Sequence, residues 1–156
     1  MRKKVKKKIV VKPDSIYGSV EIEKFINHVM KDGKKTIAKK IVYSALENIK
    51  KAAKAENALD VFEEAIKNTS PRMEVRSRRI GGANYQVPRE VKPERRFALA
   101  SRWILQAARA KKGSDMISRL SEELLAAAKN EGAAVKKKEN VQKMAEANMA
   151  FAHFSW

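Results

Sequence analysis

The chain has 156 residues, with 35 Lys plus Arg against 18 Asp plus Glu, a formal charge of +17. That length suits one domain, and 44% hydrophobic residues suffice for a core, so the charge does not mark a disordered chain. The absence of Cys removes thiol catalysis, disulfides, iron–sulfur clusters and zinc fingers together, and a polycation of this size needs a polyanion, nucleic acid first and anionic membrane second.

In chain order, residues 1–18 form a basic tail. It begins like the charged region of a secretory signal, but its apolar stretch Ile9-Val10-Val11 is interrupted by Lys12 and Pro13, too soon for export or a membrane span. Residues 19–71 predict three helices. Ile22, Phe25, Ile26, Val29 and Met30 recur at helical spacing before Gly33 stops the first. The second runs from about Thr36 to Ala55, with Ile37, Ile41, Ala45, Leu46, Ile49 and Ala53 on its apolar stripe. A shorter third spans Ala58 to Lys67 behind Asn57, facing Val61, Phe62, Ala65 and Ile66 inward, until Ser70-Pro71 ends the pattern.

Residues 72–92 are not helical. Two extended runs, Met73 to Ile80 and Tyr85 to Val91, flank Gly81-Gly82-Ala83-Asn84, which predicts a β-hairpin arm whose loop is either the two glycines or all four residues. The ribbon has too few apolar residues to join the core throughout, so its outer part is expected to project. Residues 93–156 return to helix. Pro93 starts a fourth, marked by Phe97, Ala100, Trp103, Ile104, Ala107 and Ala108 and closed at Lys111-Lys112-Gly113, with Arg102 pointing outward beside a core Trp103. Ser114-Asp115 starts a fifth through Met116, Ile117, Leu120, Leu124, Ala127 and Ala128. A sixth holds Val141, Met144, Ala145 and Asn148 before a C-terminal tail. The fold class is therefore an all-α bundle of about six helices with a projecting two-stranded β-hairpin arm, in a single domain over residues 1–156.

The charge is localised. Residues 1–12 carry +7, 72–96 carry +5, 102–112 carry +4 and 136–143 carry +3, while the remainder is near neutral. Apart from Arg2, every Arg lies between Arg72 and Arg119, whereas the tail is almost wholly Lys. Lys is a flexible point charge suited to loose phosphate neutralisation, and Arg is a planar fork suited to bidentate contacts and stacking. The tail residues Arg2, Lys3, Lys4, Lys6, Lys7 and Lys8 are thus assigned to affinity, and the central segment to geometry. Within the patches, Arg72, Arg76, Arg109, Lys136 and Lys137 are candidate phosphate contacts, Lys136-Lys137-Lys138 being equally readable as a solvated loop. Arg76, Arg78 and Arg79 lie near the hairpin turn with Tyr85, a ring that can stack on a base; the alternative is a solvated hairpin with Tyr85 packed at its base.

Catalytic signatures are missing. His28 and His153 have no ligand-spaced partner, no P-loop or dinucleotide glycine motif occurs, and the pairs Glu63-Glu64 and Glu122-Glu123 read as solvated helix faces. No enzyme, cofactor, metal or small-molecule substrate is expected. An architectural DNA protein gripping a minor groove with its ribbon is the rival binding module, and membrane binding is disfavoured because the Lys tail has no apolar anchor.

The run Glu74-Val75-Arg76-Ser77-Arg78-Arg79-Ile80-Gly81-Gly82-Ala83-Asn84-Tyr85-Gln86-Val87-Pro88 resembles the hairpin signature of the family of the seventh small-subunit ribosomal protein, bacterial type. The resemblance extends through Asp32-Gly33-Lys34-Lys35, Val42-Tyr43-Ser44-Ala45-Leu46, Arg95-Arg96, Arg102-Trp103, Gly132 to Lys138 and Met144 to Asn148, ending at Phe151-Ala152-His153. It implies a cytoplasmic, ribosomal protein that binds the 3′ major domain of small-subunit (16S-type) rRNA and nucleates assembly of the head, beside neighbouring small-subunit proteins. It further implies that the tail, Lys34, Lys35, Arg95, Arg96 and Arg102 face rRNA. The ribbon tip, with Arg78, Arg79, Gly81, Gly82, Asn84 and Tyr85, would reach the exit side of the tRNA path near mRNA. Some members of that family also repress translation of their own operon. This chain departs from the family's usual Tyr-Arg-Trp ending, carrying Phe154-Ser155-Trp156 instead.

Overall fold

The computed structural model describes residues 11–53 and 57–154. Six α-helices and one hairpin follow one another: α1 Val20–Val29, α2 Lys35–Ala53, α3 Ala58–Thr69, β1 Met73–Ile80, β2 Ala83–Glu90, α4 Pro93–Ala110, α5 Met116–Ala128 and α6 Ala133–Ala147. A short 3-10 helix, Met149–Phe154, closes the described chain.

The core is the meeting of the apolar stripes of α1 to α5 with the start of α6. Ile22, Phe25, Ile26 and Val29 of α1 belong to one buried cluster with Leu46 and Ile49 of α2, Phe62 and Ile66 of α3, Ile104 of α4 and Leu120 and Leu124 of α5. Phe25 and Phe62 meet edge to face with centroids 5.2 Å apart, the arrangement that suits the ring quadrupoles. In α2 the buried residues are Ala38, Val42, Ala45, Leu46 and Ile49, so the stripe is rotated from the expected one: Ile37 is 55% exposed and Ala53 faces solvent. Two adjacent rows of this helix are apolar, and contact with α1, α3 and α5 selects the second.

The helix ends are tied by side chains distant in sequence. Asn68 Nδ2 donates to the carbonyls of Ala127 and Ala128 at 3.0 and 2.9 Å, tying α3 to the last turn of α5, where carbonyls run short of helical donors. Asp14 accepts from the backbone N–H groups of Ile16 and Tyr17 and from the Tyr43 hydroxyl at 2.5 Å, pinning the entry to α1 onto α2. Burial pushes the Asp14 carboxyl up, but the Tyr43 hydrogen bond and the two backbone donors outweigh it and hold the carboxyl below the ordinary Asp value.

Glu123 corrects its expected solvated placement. It is 1% exposed, accepts from the backbone N–H of Ala134 in the first turn of α6 at 3.1 Å, and lies 3.2 Å from Lys111 Nζ. A carboxylate at a helix N-terminus meets both orphan donors and the positive end of the helix dipole. The chain reaches this cap through Gly132 at φ +95°, where a Cβ would stand 3.0 Å from Glu123 Oε1. Helix α6 consequently begins at Ala133, and Lys136, Lys137 and Lys138 lie on it rather than in a loop.

The hairpin pairs antiparallel from Met73 with Glu90 to Ile80 with Ala83. Its loop is the two glycines alone, with Gly81 at φ +57° and Gly82 at φ +89°, the pair of positive angles found in a type I′ turn. Beyond the last pair, the Val91 N–H donates to the Arg72 carbonyl at 3.0 Å and closes the root. Val87, Pro88 and Val91 are buried there, and β2 also packs along the terminal short helix.

Candidate nucleic-acid interface

The root of the arm is built on one carboxylate. Glu74 is only 6% exposed, and its Oε1 accepts from Arg89 Nε and Nη2 at 2.8 and 2.6 Å while its Oε2 accepts from Arg95 Nε at 2.7 Å. Arg76 Nε stands 3.6 Å from the same Oε1. Strand β1 supplies Glu74 and Arg76, β2 supplies Arg89 directly opposite Glu74, and α4 supplies Arg95, so the carboxylate fastens both strands to the helical body. Burial pushes the Glu74 carboxyl up, but the hydrogen bonds from Arg95 and Arg89 prevail and hold it below the ordinary carboxylate value. Each arginine remains partly exposed and keeps further N–H donors for an outside acceptor.

Alternation along the strands divides the expected tip residues between two faces. Glu74, Arg76 and Arg78, with their partners Arg89, Val87 and Tyr85, share one face; Ser77 and Arg79, with Gln86 and Asn84, share the other. On the first face, Tyr85 is half-buried against Phe151 and Phe154, with ring centroids 5.4 and 5.3 Å away, and Arg78 Nη1 donates to the Phe154 carbonyl at 3.1 Å. On the second, Ser77, Arg79, Asn84 and Gln86 are exposed. Arg78 and Arg79 are neighbours in sequence and opposites in space. Gly81 and Gly82 form the exposed tip between the faces.

The other candidate cations are spread over the body. Arg72 is exposed at the entry to the arm. Lys34 is exposed in the corner between α1 and α2, whereas Lys35 is drawn into an ion pair with the buried Glu23. Arg96 donates through Nε to the Val91 carbonyl at 2.8 Å and through Nη2 to Glu90 at 3.1 Å, so it braces the strand-to-helix junction beside Arg95. Arg102 points outward as expected, and Trp103 is 8% exposed in the core stripe. His28 is half-buried with its ring centroid 6.4 Å from that of Phe97, and burial, aided by the Arg102 charge, holds its imidazole below the ordinary value. Arg109 is exposed, and its Nη2 donates at 3.3 Å to the carbonyl of Val29, which ends α1. Lys136 and Lys137 are exposed on the first turns of α6, and Lys137 borders a shallow groove of about 220 Å³ with Trp103, Gln106, Ala107, Ala110 and Ala133. Arg2, Lys3, Lys4, Lys6, Lys7 and Lys8 lie outside the described residues.

The structure thus gathers Arg76, Arg95 and Arg96 at the arm's root, whereas Lys35, Arg102, Arg109, Lys136 and Lys137 lie on α2, α4 and α6 and Lys34 in the corner before α2. It also assigns work to residues that the sequence reading passed over. Glu74 and Arg89 form the brace; their cross-strand pairing follows once the two-residue turn fixes the register. Phe151 and Phe154 cover Tyr85, and their spacing of three residues, which aligns side chains in a 3-10 helix, is the available signal. Among the described residues, no group of three His, Asp or Glu is placed to hold a metal ion, and no helix is long and apolar enough to cross a membrane.

Comparison with known proteins gives one answer. The family described as ribosomal protein S7p/S5e matches residues 1–149. Small ribosomal subunit protein uS7 of Petrotoga mobilis is 54% identical over 156 residues, covering 100% of both chains. The protein of the same name from Chlamydia felis is 56% identical over 155 residues, 99% of each chain, and that of Francisella tularensis is 55% identical over 144 residues, 92% of each.

Proposed function

The chain belongs to the S7p/S5e family of ribosomal proteins and is a non-catalytic structural component of the small ribosomal subunit; from that premise we propose that it binds the 3′ major domain of small-subunit rRNA and nucleates assembly of the head. The observation that supports this most directly is the root of the arm, where Glu74 sets Arg76, Arg89 and Arg95 at one rigid, positively charged junction between ribbon and body. Folded RNA is recognised by shape and backbone, and such recognition needs cations held at fixed positions rather than on free stems. Arg72, Arg96, Arg102, Arg109, Lys34, Lys35, Lys136 and Lys137 extend the footprint, and the Lys-rich tail adds sequence-independent attraction. The tip, with Arg78, Arg79, Gly81, Gly82, Asn84 and Tyr85, serves the tRNA exit side and mRNA. Neighbouring small-subunit proteins complete the setting in the cytoplasmic ribosome, and repression of its own operon's messenger would draw on the same cations.

Competition at fixed moderate salt tests the reading: the 3′ major domain of rRNA against a scrambled RNA and a DNA duplex of equal length. A clear preference for the rRNA is expected. Equal binding to all three would reduce the chain to a polycation, and tighter binding to the duplex would favour a DNA architectural role.

A further inference from the structure

Tyr85, the ring of the arm expected to stack on a base, is covered by Phe151 and Phe154. Phe151 and Phe154 lie 5.4 and 5.3 Å from Tyr85, centroid to centroid, both tilted against its ring. The cover is slight. Its helix has six residues and buries none of them, and a 3-10 helix has poor hydrogen-bond geometry and little cooperative length. The segment Met149-Ala150-Phe151-Ala152-His153-Phe154 contains no Lys, Arg, Asp or Glu, and Arg78 reaches it from the arm by donating to the Phe154 carbonyl at 3.1 Å.

Next to the covered ring, Arg76, Ser77, Arg78, Val87 and Arg89 line a concavity of about 220 Å³. Three guanidinium groups border this space and one carboxylate, Glu74, underlies it, so the surplus favours an anion with several acceptor oxygens. Residues two apart on a strand lie about 7 Å apart on the same face. The cleft at Arg76 and Arg78 and the ring at Tyr85 are therefore neighbouring positions along one ribbon.

We propose that this face of the arm is a nucleotide site for single-stranded RNA, with a phosphate held by Arg76, Arg78 and Arg89 and a base stacked on Tyr85, and that the terminal short helix closes the site until RNA displaces Phe151 and Phe154. The proposal deepens the exit-side assignment of the tip and rests on it. Opening exchanges the two ring contacts of Tyr85 and the Arg78 hydrogen bond to the Phe154 carbonyl for a base stacked on Tyr85 and a phosphate on Arg78, contacts of like kind, so RNA shifts the balance between closed and open forms. The apparent affinity is lowered by the closed fraction: with nine molecules in ten closed, removing the cover raises affinity about tenfold.

The experiment compares the full-length protein with its F151A/F154A variant for binding of a 12-nucleotide oligouridylate at fixed salt. The variant is expected to bind about five to ten times more tightly. Both proteins have the same net charge, so counterion release does not account for such a gain. Adding Y85A to the variant is expected to abolish it. Unchanged or weaker binding by F151A/F154A would overturn closure, and a gain that survives Y85A would place the RNA elsewhere. Independently of any variant, titrating the wild-type protein with the oligonucleotide is expected to shift the ring resonances of Phe151 and Phe154; static resonances at saturation would also overturn closure. Binding of the 3′ major domain, measured in parallel, separates the two ideas: a wild-type preference for rRNA without an oligonucleotide gain sinks only the closure, whereas no preference sinks the parent reading.

Discussion

The helical body and the arm are held together by different forces. In the body, Phe25, Phe62, Ile104, Leu120 and Leu124 are sealed from water, and polar groups such as Asn68 and Glu123 serve helix ends. In the arm, a charge-assisted brace at Glu74 fixes the root, and ring contacts together with the Arg78 hydrogen bond to the Phe154 carbonyl hold the tip. Apolar burial is non-directional and sums over area, which suits a platform. Charge-assisted hydrogen bonds are directional, which suits an orientation that has to be kept. Ring contacts at an exposed edge are weak enough to exchange. The chain thus grades its contacts from permanent to replaceable along the path from core to tip.

The largest test of that grading is Phe62→Ala, which empties a fully buried ring site and is expected to cost about 4 kcal/mol in urea unfolding. A cost below that of any arm substitution would break the contrast. Glu74→Gln keeps the shape of the brace but removes its charge, and a loss of about 2 kcal/mol is expected, accompanied by weaker binding of the rRNA domain as Arg76 and Arg95 lose their fixed positions. The same brace has a pH signature. Because the folded-state pKa of Glu74 lies below the unfolded value, its stabilisation is present above the unfolded pKa and is lost as pH falls through the folded one. Melting temperatures followed downward from pH 6 should therefore decline less steeply for Glu74→Gln than for the wild type. Gly82→Ala is expected to cost about 1 kcal/mol, because φ +89° strains any residue with a Cβ, and amide exchange should quicken in the hairpin but not in α5. The smallest effect belongs to Arg79→Ala on the open face: stability within about 0.5 kcal/mol of wild type and little change in rRNA affinity, with disturbed tRNA or mRNA contacts in assembled subunits. A large loss of rRNA affinity from Arg79→Ala would place that face against rRNA instead.

Much of this was legible in the chain. The stripes of α1, α3, α4 and α5 were readable because single apolar rows alternate with charged ones, and the hairpin was marked by Gly81-Gly82 between extended runs. Helix α2 misled because Ile37 and Ile41 lie beside Ala38 and Val42, and periodicity alone does not say which of two adjacent rows a neighbour will cover. The start of α6 was hidden since its cap is Glu123, eleven residues earlier in the fold's own hydrogen bonding. At the site, the cations were visible by their clustering, but their division was not: Arg95 is defined by a carboxylate 21 positions away and Arg78 by a carbonyl 76 positions away. The opposition of Arg78 and Arg79, in contrast, follows from the two-residue strand period and needed no tertiary information.

The two-glycine turn has a consequence for how this arm can change length. A hairpin closed this tightly leaves no slack in its register, so an insertion in one strand alone would shear every pair beyond it. One extra residue in each strand would keep the pairing but exchange the faces of everything distal, turning Tyr85 away from Phe154 and Arg79 toward it. Lengthening or shortening that preserves both faces has to proceed by two residues in each strand at once, and relatives with longer or shorter arms should differ in steps of four.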